Sequence, residues 1–179
     1  MSVGLDDIGR PYALIDFEAS CLPEYGQSFP IEVALARVDG SSRQWLIRPA
    51  PEWRYWDWSD EAEALHKLTR TQVEREGTPA VQVMTELNAA AAGYQVYADA
   101  DLDAFWLETL AHACGVQPTF GVRYLGELMV EEGFTRPQVV AALAEARTRM
   151  PREHAARADA QRLALTLKLL LDGKDALAG

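Results

Sequence analysis

Over the first fifty residues, apolar positions recur in short runs with the spacing of strands. "YALIDF" (residues 12 to 17), "IEVALARV" (31 to 38) and "RQWLIR" (43 to 48) each read as a strand. Asp39-Gly40, between the second and third runs, is a hairpin turn signal. Further along, the period changes to that of helices. Ser59 is placed to cap "DEAEALHKL", Thr69 and Gln72 suit a capping box, and Thr78-Pro79 opens "PAVQVMTELNAAAA", which Gly93 closes. "YQVYA" makes a fourth strand, "LDAFWLETLAHAC" a helix ended by Gly115, and "TFGVR" a short fifth strand. Helices over residues 124–132, 136–149 and 155–171 complete the pattern. Three strands in succession, then strand–helix alternation, predict an α/β fold with a mixed sheet. No linker or repeat divides residues 1–179, so a single domain is expected.

Three places break this pattern. Asp16 and Glu18 stand two apart in the first strand, on one face, among Leu14, Ile15 and Phe17. An isolated pair of this kind fits a solvated edge strand; within so apolar a run it fits a buried strand that carries charge. In "VYADADLDAFWLETL", Asp101 is placed to cap the helix, whereas Asp103 shares a stripe with Trp106, Leu107, Leu110 and Cys114. Asp103 is equally suited to favouring the helix dipole at the N-terminus. In "REHAARADAQRLALTLKLLL", Asp159 heads the face of Leu163, Leu167 and Leu170, and His154 stands five residues before it. Alone, His154 reads as a surface or capping histidine.

Together these breaks set four carboxylates facing inward at a strand and two helix starts. Unpaired burial of each costs several kcal/mol, so a fold that keeps them needs cations. Hard oxygen ligands without cysteine suit Mg²⁺ or Mn²⁺ rather than zinc. Carboxylates around a pair of such ions are apparatus for phosphodiester hydrolysis, and a nearby histidine supplies a base that titrates near neutrality.

The combination resembles the DEDDh family of 3′–5′ exonucleases, which includes proofreading exonuclease subunits, ribonuclease T and oligoribonuclease. D-x-E on the first strand, an Asp opening a later helix before "AFWL", and H-x-x-x-x-D near the end carry the resemblance, which runs from about Tyr12 to Leu171. "PIEVALARVDG" is similar to the family's second strand, and "ALHKLTR" to a decayed I-H-G-I-T segment. The resemblance implies a ribonuclease H-like three-layer fold, with a mixed five-stranded sheet flanked by helices, as one exonuclease-like domain. It implies that Asp16, Glu18, Asp103 and Asp159 hold two divalent cations, Mg²⁺ or Mn²⁺, and that His154 deprotonates the attacking water. In "EASCL", it implies that Ala19 and Ser20 contact the sugar of the 3′-terminal nucleotide and that Leu22 wedges against bases, with His66 approaching the same nucleotide. Lys67 and Leu68 replace the usual Gly-Ile, and Cys21 stands where a glycine is frequent. Several members of that family dimerise, so a homodimer is compatible with the resemblance.

Charge narrows the partner. The net charge is −10 with a pI near 4.7, which disfavours a general duplex binder and leaves short single strands or 3′ ends. Arg147, Arg149, Arg152, Arg157 and Arg162 make one stretch locally basic; it reads first as a solvated helix face and second as a phosphate-guiding rim. Trp53, Trp56 and Trp58 lie near Arg54, a composition that can stack bases but more often packs against a sheet. Cys21 and Cys114 form no disulfide framework or metal spacing, "MSVGLDDIGRPY" has no signal-peptide pattern, and "LALTLKLLL" is too short to span a bilayer. A cytoplasmic protein with no membrane contact is the expectation. The competing function is a non-catalytic module that keeps the fold to bind nucleic acid or a protein.

Overall fold

The computed structural model describes residues 12–178. Its strands are β1 (Tyr12–Ala19), β2 (Pro30–Arg37), β3 (Ser42–Arg48), β4 (Thr78–Pro79), β5 (Gln95–Ala98) and β6 (Val122–Tyr124). The helices are α1 (Asp60–His66), α2 (Arg70–Glu76), α3 (Ala80–Ala91), α4 (Leu102–Cys114), α5 (Leu125–Glu131), α6 (Arg136–Arg149) and α7 (Ala156–Ala178). Among the described residues these strands form one sheet of order β4-β3-β2-β1-β5-β6. The meander β1–β2–β3 is antiparallel, while β5 lies parallel to β1 and β6 parallel to β5.

The sheet therefore has one strand more than the five expected. The extra strand is the dipeptide Thr78–Pro79, which pairs with Ile47 and Arg48 at the sheet edge before α3 starts. Pro79 has no N–H to give a ladder, which confines it to such an edge. Its neighbour Gly77 sits where a Cβ would come within 2.4 Å of the Val73 carbonyl and 2.5 Å of the Arg48 nitrogen, so only glycine lets α2 close against β3. The expected caps Ser59 and Thr69 accept from the amides of Ala62 and Gln72. Asp101 holds the cap position of α4, but its side chain makes no capping bond, correcting the expectation. Gly115 ends α4 in the left-handed region, at φ 66°. The last helix runs seven residues beyond residue 171, where the apolar stripe stops.

Alternation along β1 sorts its side chains between two cores. Ala13, Ile15 and Phe17 join a large cluster with Leu35, Trp45, Leu87, Trp106 and Leu110, which covers one face with α3 and α4. Leu14 joins Ala34, Ala36, Tyr97 and the α7 residues Ala160, Leu163 and Leu167 on the other. Asp16 and Glu18 continue the Leu14 face, the one that α7 covers. The tryptophans take the packing role: Trp53 is fully buried and stacked on Phe29 at 5.4 Å, and Trp58 Nε1 donates to Glu63. No helix among the described residues is long and apolar enough to cross a membrane.

Candidate metal centre and cleft

β1 is central in the sheet and buried along most of its length, so its polar residues appear only where the strand runs out toward its C-terminal end. The register with β2 is regular to Glu18 and slips between Glu18 and Ala19, which turns the chain out of the sheet just past the second carboxylate. β5, parallel to β1, ends at the same edge, and the chain returns from it through Asp99 into α4. The carboxyl ends of parallel strands are the usual position for a ligand in such sheets. α7 comes down on this edge with its N-terminus foremost.

Asp16, Glu18 and Asp159 each contribute a carboxylate oxygen to a group whose atoms lie within 4.8 Å of one another. Asp103 is 3% exposed and its Oδ1 accepts the Phe17 amide at 3.0 Å, the amide between Asp16 and Glu18. It thus lies beside the group of three, with one oxygen committed to the β1 backbone. Asp159 Oδ2 accepts from the Ala155 amide at 3.0 Å, and its Oδ1 pairs with Arg162. Arg162 also donates to the Arg152 carbonyl at 2.7 Å.

The electrostatics are those of acids without sufficient counter-charge. Burial pushes the Asp16 carboxyl well above the carboxylate range, and the charges of Asp103, Glu18 and Asp159 add to it. Glu18 is pushed up to about 8, mainly by burial and then by Asp159, Glu32 and Asp103. Asp103 rises to about 7 through burial, against the lowering effect of the Phe17 N–H. An all-oxygen donor set with repulsion of this size fits a hard divalent cation, which removes the repulsion by binding.

The cluster opens into a cleft of about 430 Å³ whose walls include Asp99, Leu143, Arg147, His154 and Arg162. His154 is exposed there, in the left-handed region at φ 55°, two residues before α7 begins. Few non-glycine residues adopt that conformation, and those that do tend to cluster at functional sites. Of the basic stretch, Arg147 and Arg162 reach this cleft, Arg152 and Arg157 line a neighbouring one, and Arg149 pairs with Glu145.

The residues implied for nucleotide contact are distributed differently. Ser20 is fully buried, and its hydroxyl accepts the Phe29 amide at 3.2 Å. That side chain fixes the loop after β1 rather than facing the cleft. Ala19 is buried beside it, while Leu22 is 42% exposed. His66 is buried at the end of α1, with Nδ1 accepting from the Leu68 amide at 3.0 Å and Nε2 meeting no hydrogen-bond partner among the described residues. Burial holds its pKa down, with the Glu63 charge opposing. His66 lines the second cleft, of about 330 Å³, together with Glu32, Gln44, Arg152 and Arg157.

One acid escaped the sequence reading. Glu32 is 5% exposed and stands directly opposite Glu18 across the β1–β2 ladder. A signal for it existed, because Glu32 interrupts "PIEVALA" as Asp16 interrupts "ALIDF".

No protein-family profile matches the chain, and no curated protein matches it in sequence. Solved structures do share its fold. Exonuclease I from Methylocaldum szegediense has a TM-score of 0.66 at 12% identity, over 93% of this chain and 41% of its own. E. coli exonuclease I in complex with a dA16 oligonucleotide has a TM-score of 0.66 at 11% identity, over 93% and 42%. A 3′-exonuclease studied for 3′-end specific recognition of a histone mRNA stem-loop has a TM-score of 0.65 at 18% identity, over 90% and 81%. The chain spans about two-fifths of the length of the exonuclease I structures it matches. It shares the fold of these exonuclease structures.

Proposed function

We propose that this chain is a metal-dependent 3′–5′ exonuclease that hydrolyses the terminal phosphodiester of single-stranded RNA or DNA, releasing nucleoside 5′-monophosphates. The observation that carries the reading is the meeting of Asp16, Glu18 and Asp159 at the carboxyl end of the central strand, in a cleft that His154 shares. A shared fold hosts many functions, so the argument rests on these residues rather than on likeness.

Asp16, Glu18, Asp103 and Asp159 are the residues to hold two divalent cations, Mg²⁺ or Mn²⁺. When bound, the pair supplies charge to activate a water and to stabilise the leaving oxygen. The chain's own groups do the rest. His154, exposed at the cleft wall, takes the proton from the attacking water. The water oxygen bonds to phosphorus, the bond from phosphorus to the 3′-oxygen of the preceding nucleotide breaks, and that oxygen leaves with a proton from solvent. Arg147 and Arg162 offset the phosphate charge entering an acidic protein. Their small number suits short single strands and 3′ ends better than long duplexes.

The test is digestion of 5′-labelled single-stranded RNA and DNA in Mg²⁺, Mn²⁺ or EDTA, beside His154→Ala. The expected result is a metal-dependent ladder shortening from the 3′ end and at least about 100-fold slower in the variant. Absence of shortening on either strand in every metal overturns the proposal in favour of a binding module.

A further inference from the structure

Glu32 has no assigned task, yet its surroundings are unusually specific. Like charges placed directly opposite each other on a ladder are destabilising, and Glu18 and Glu32 are such a pair. Among the described residues, hydrogen bonds compensate only Glu32 of the two. Glu32 Oε2 accepts the Ala156 amide at 3.0 Å, and its Oε1 is bonded to the Gln44 side-chain amide. Ala156 is the first residue of α7, whose initial amides have no intrahelical partners. The residue before it, Ala155, has no side chain able to cap a helix. The cap therefore comes from 124 residues away, out of the sheet. Ala155 and Ala156 are thus tied by consecutive amides, the first to Asp159 and the second to Glu32. His154, with its left-handed backbone, is the next residue toward the N-terminus.

We propose that Glu32 is a positioning residue, docking the N-terminus of α7 onto β2 so that Asp159 and His154 face Asp16 and Glu18. The inference that this positioning serves catalysis rests on the exonuclease reading above. The geometric part does not: Glu32 holds the 153–160 segment whether or not that segment acts on nucleic acid. Of the two facing acids, Glu32 is the one satisfied by the fold, which leaves Glu18 for a ligand.

The experiment compares wild type, Glu32→Ala and Glu32→Gln by three readouts: amide exchange resolved by peptide, Mn²⁺ binding by calorimetry, and single-turnover and steady-state cleavage of a 3′-ended oligonucleotide. In Glu32→Ala, exchange is expected to quicken at residues 153–160 while the β1 and β5 amides keep their protection. Mn²⁺ binding weakens about tenfold, and kcat falls at least about tenfold with KM within about threefold, the range common when an outer residue that orients ligands is lost. Glu32→Gln retains a carbonyl acceptor for Ala156 and restores most of all three. Unchanged exchange at 153–160 in Glu32→Ala overturns the positioning role. So does a Gln variant as impaired as the Ala variant while equally folded, since that makes the charge itself the requirement. Wild type without cleavage, but with the predicted exchange pattern, overturns the exonuclease reading and leaves the docking role standing.

Discussion

Replacing Asp103 by Asn tests whether this acid is held in the fold at an energetic cost, as a site for a cation requires. The carboxyl is 3% exposed and titrates at about 7 rather than at 3.8. At ~1.36 kcal/mol for each pH unit of that difference, keeping it ionised above pH 7 costs the metal-free protein on the order of 4 kcal/mol. Asn removes the charge and keeps a carbonyl for the Phe17 amide. Its N–H₂ replaces an acceptor in a buried position, at about 1–2 kcal/mol. A gain of about 2 kcal/mol remains, equivalent to a rise in Tm of roughly 4–8 °C in a domain of this size. The pH dependence fixes the sign. Between 3.8 and about 7 the folded state binds the proton that the unfolded chain has lost, so wild-type stability falls as pH rises through that window. At pH 5 the penalty is smaller and the two proteins should melt within about 2 °C of each other. Differential scanning calorimetry in EDTA at pH 5 and pH 8 gives the comparison, and saturating Mn²⁺ should favour wild type. A variant less stable than wild type in EDTA at pH 8 would show that Asp103 is a structural cap, and the reasoning would fail.

Other consequences are open to equally direct measurement. Because Glu18 titrates at about 8 and Asp16 is also raised, metal-free wild type should gain Tm as pH falls from 8.5 to 5; Mg²⁺ or Mn²⁺ should flatten that profile, and a metal-free profile rising with pH contradicts it. Gly77→Ala should cost more than about 2 kcal/mol in urea unfolding, because the added Cβ meets backbone at Val73 and Arg48 rather than a movable side chain. Binding of a short single strand should fall with salt at a slope of only about −1 to −2 in log–log form, as few cations reach the cleft; a slope near −6 would point to an unseen phosphate track. His154→Ala should lose cleavage while keeping Mn²⁺ affinity within about threefold, since the residue is exposed at the cleft wall and separate from the three converging oxygens.

The carboxylates were legible because each violates a local period. Asp16 and Glu18 stand in a run that otherwise reads as buried strand, and Asp103 and Asp159 fall on helical faces made of leucine and tryptophan. Asp103 is indeed the most buried of these, and counting by three and four finds such a residue directly. Features that depend on distant backbone were not legible. Glu32 breaks its strand's pattern, but its partner is an amide 124 residues on, which no periodicity encodes. Ser20 offers a hydroxyl to any reader of the sequence; that it turns inward to Phe29 follows from the loop's path after the slip at Glu18/Ala19. β4 was missed because a two-residue strand containing proline has no repeat to detect, and it pairs only because α2 returns the chain to the edge of β3.

The cluster joins β1 to α7, nearly the full span of the described chain. A polypeptide emerging from the ribosome can complete β1 through α4 and carry Asp16, Glu18 and Asp103, yet lack the two side chains that α7 and its leading loop bring. On the exonuclease proposal, the cluster is complete only once α7 docks on the β1–β2 face, so the onset of activity would report that docking. The same geometry means that detachment of α7 both removes Asp159 from the group of three carboxylates and uncovers Leu14, Ala34, Ala36 and Tyr97 on the sheet face it packs against.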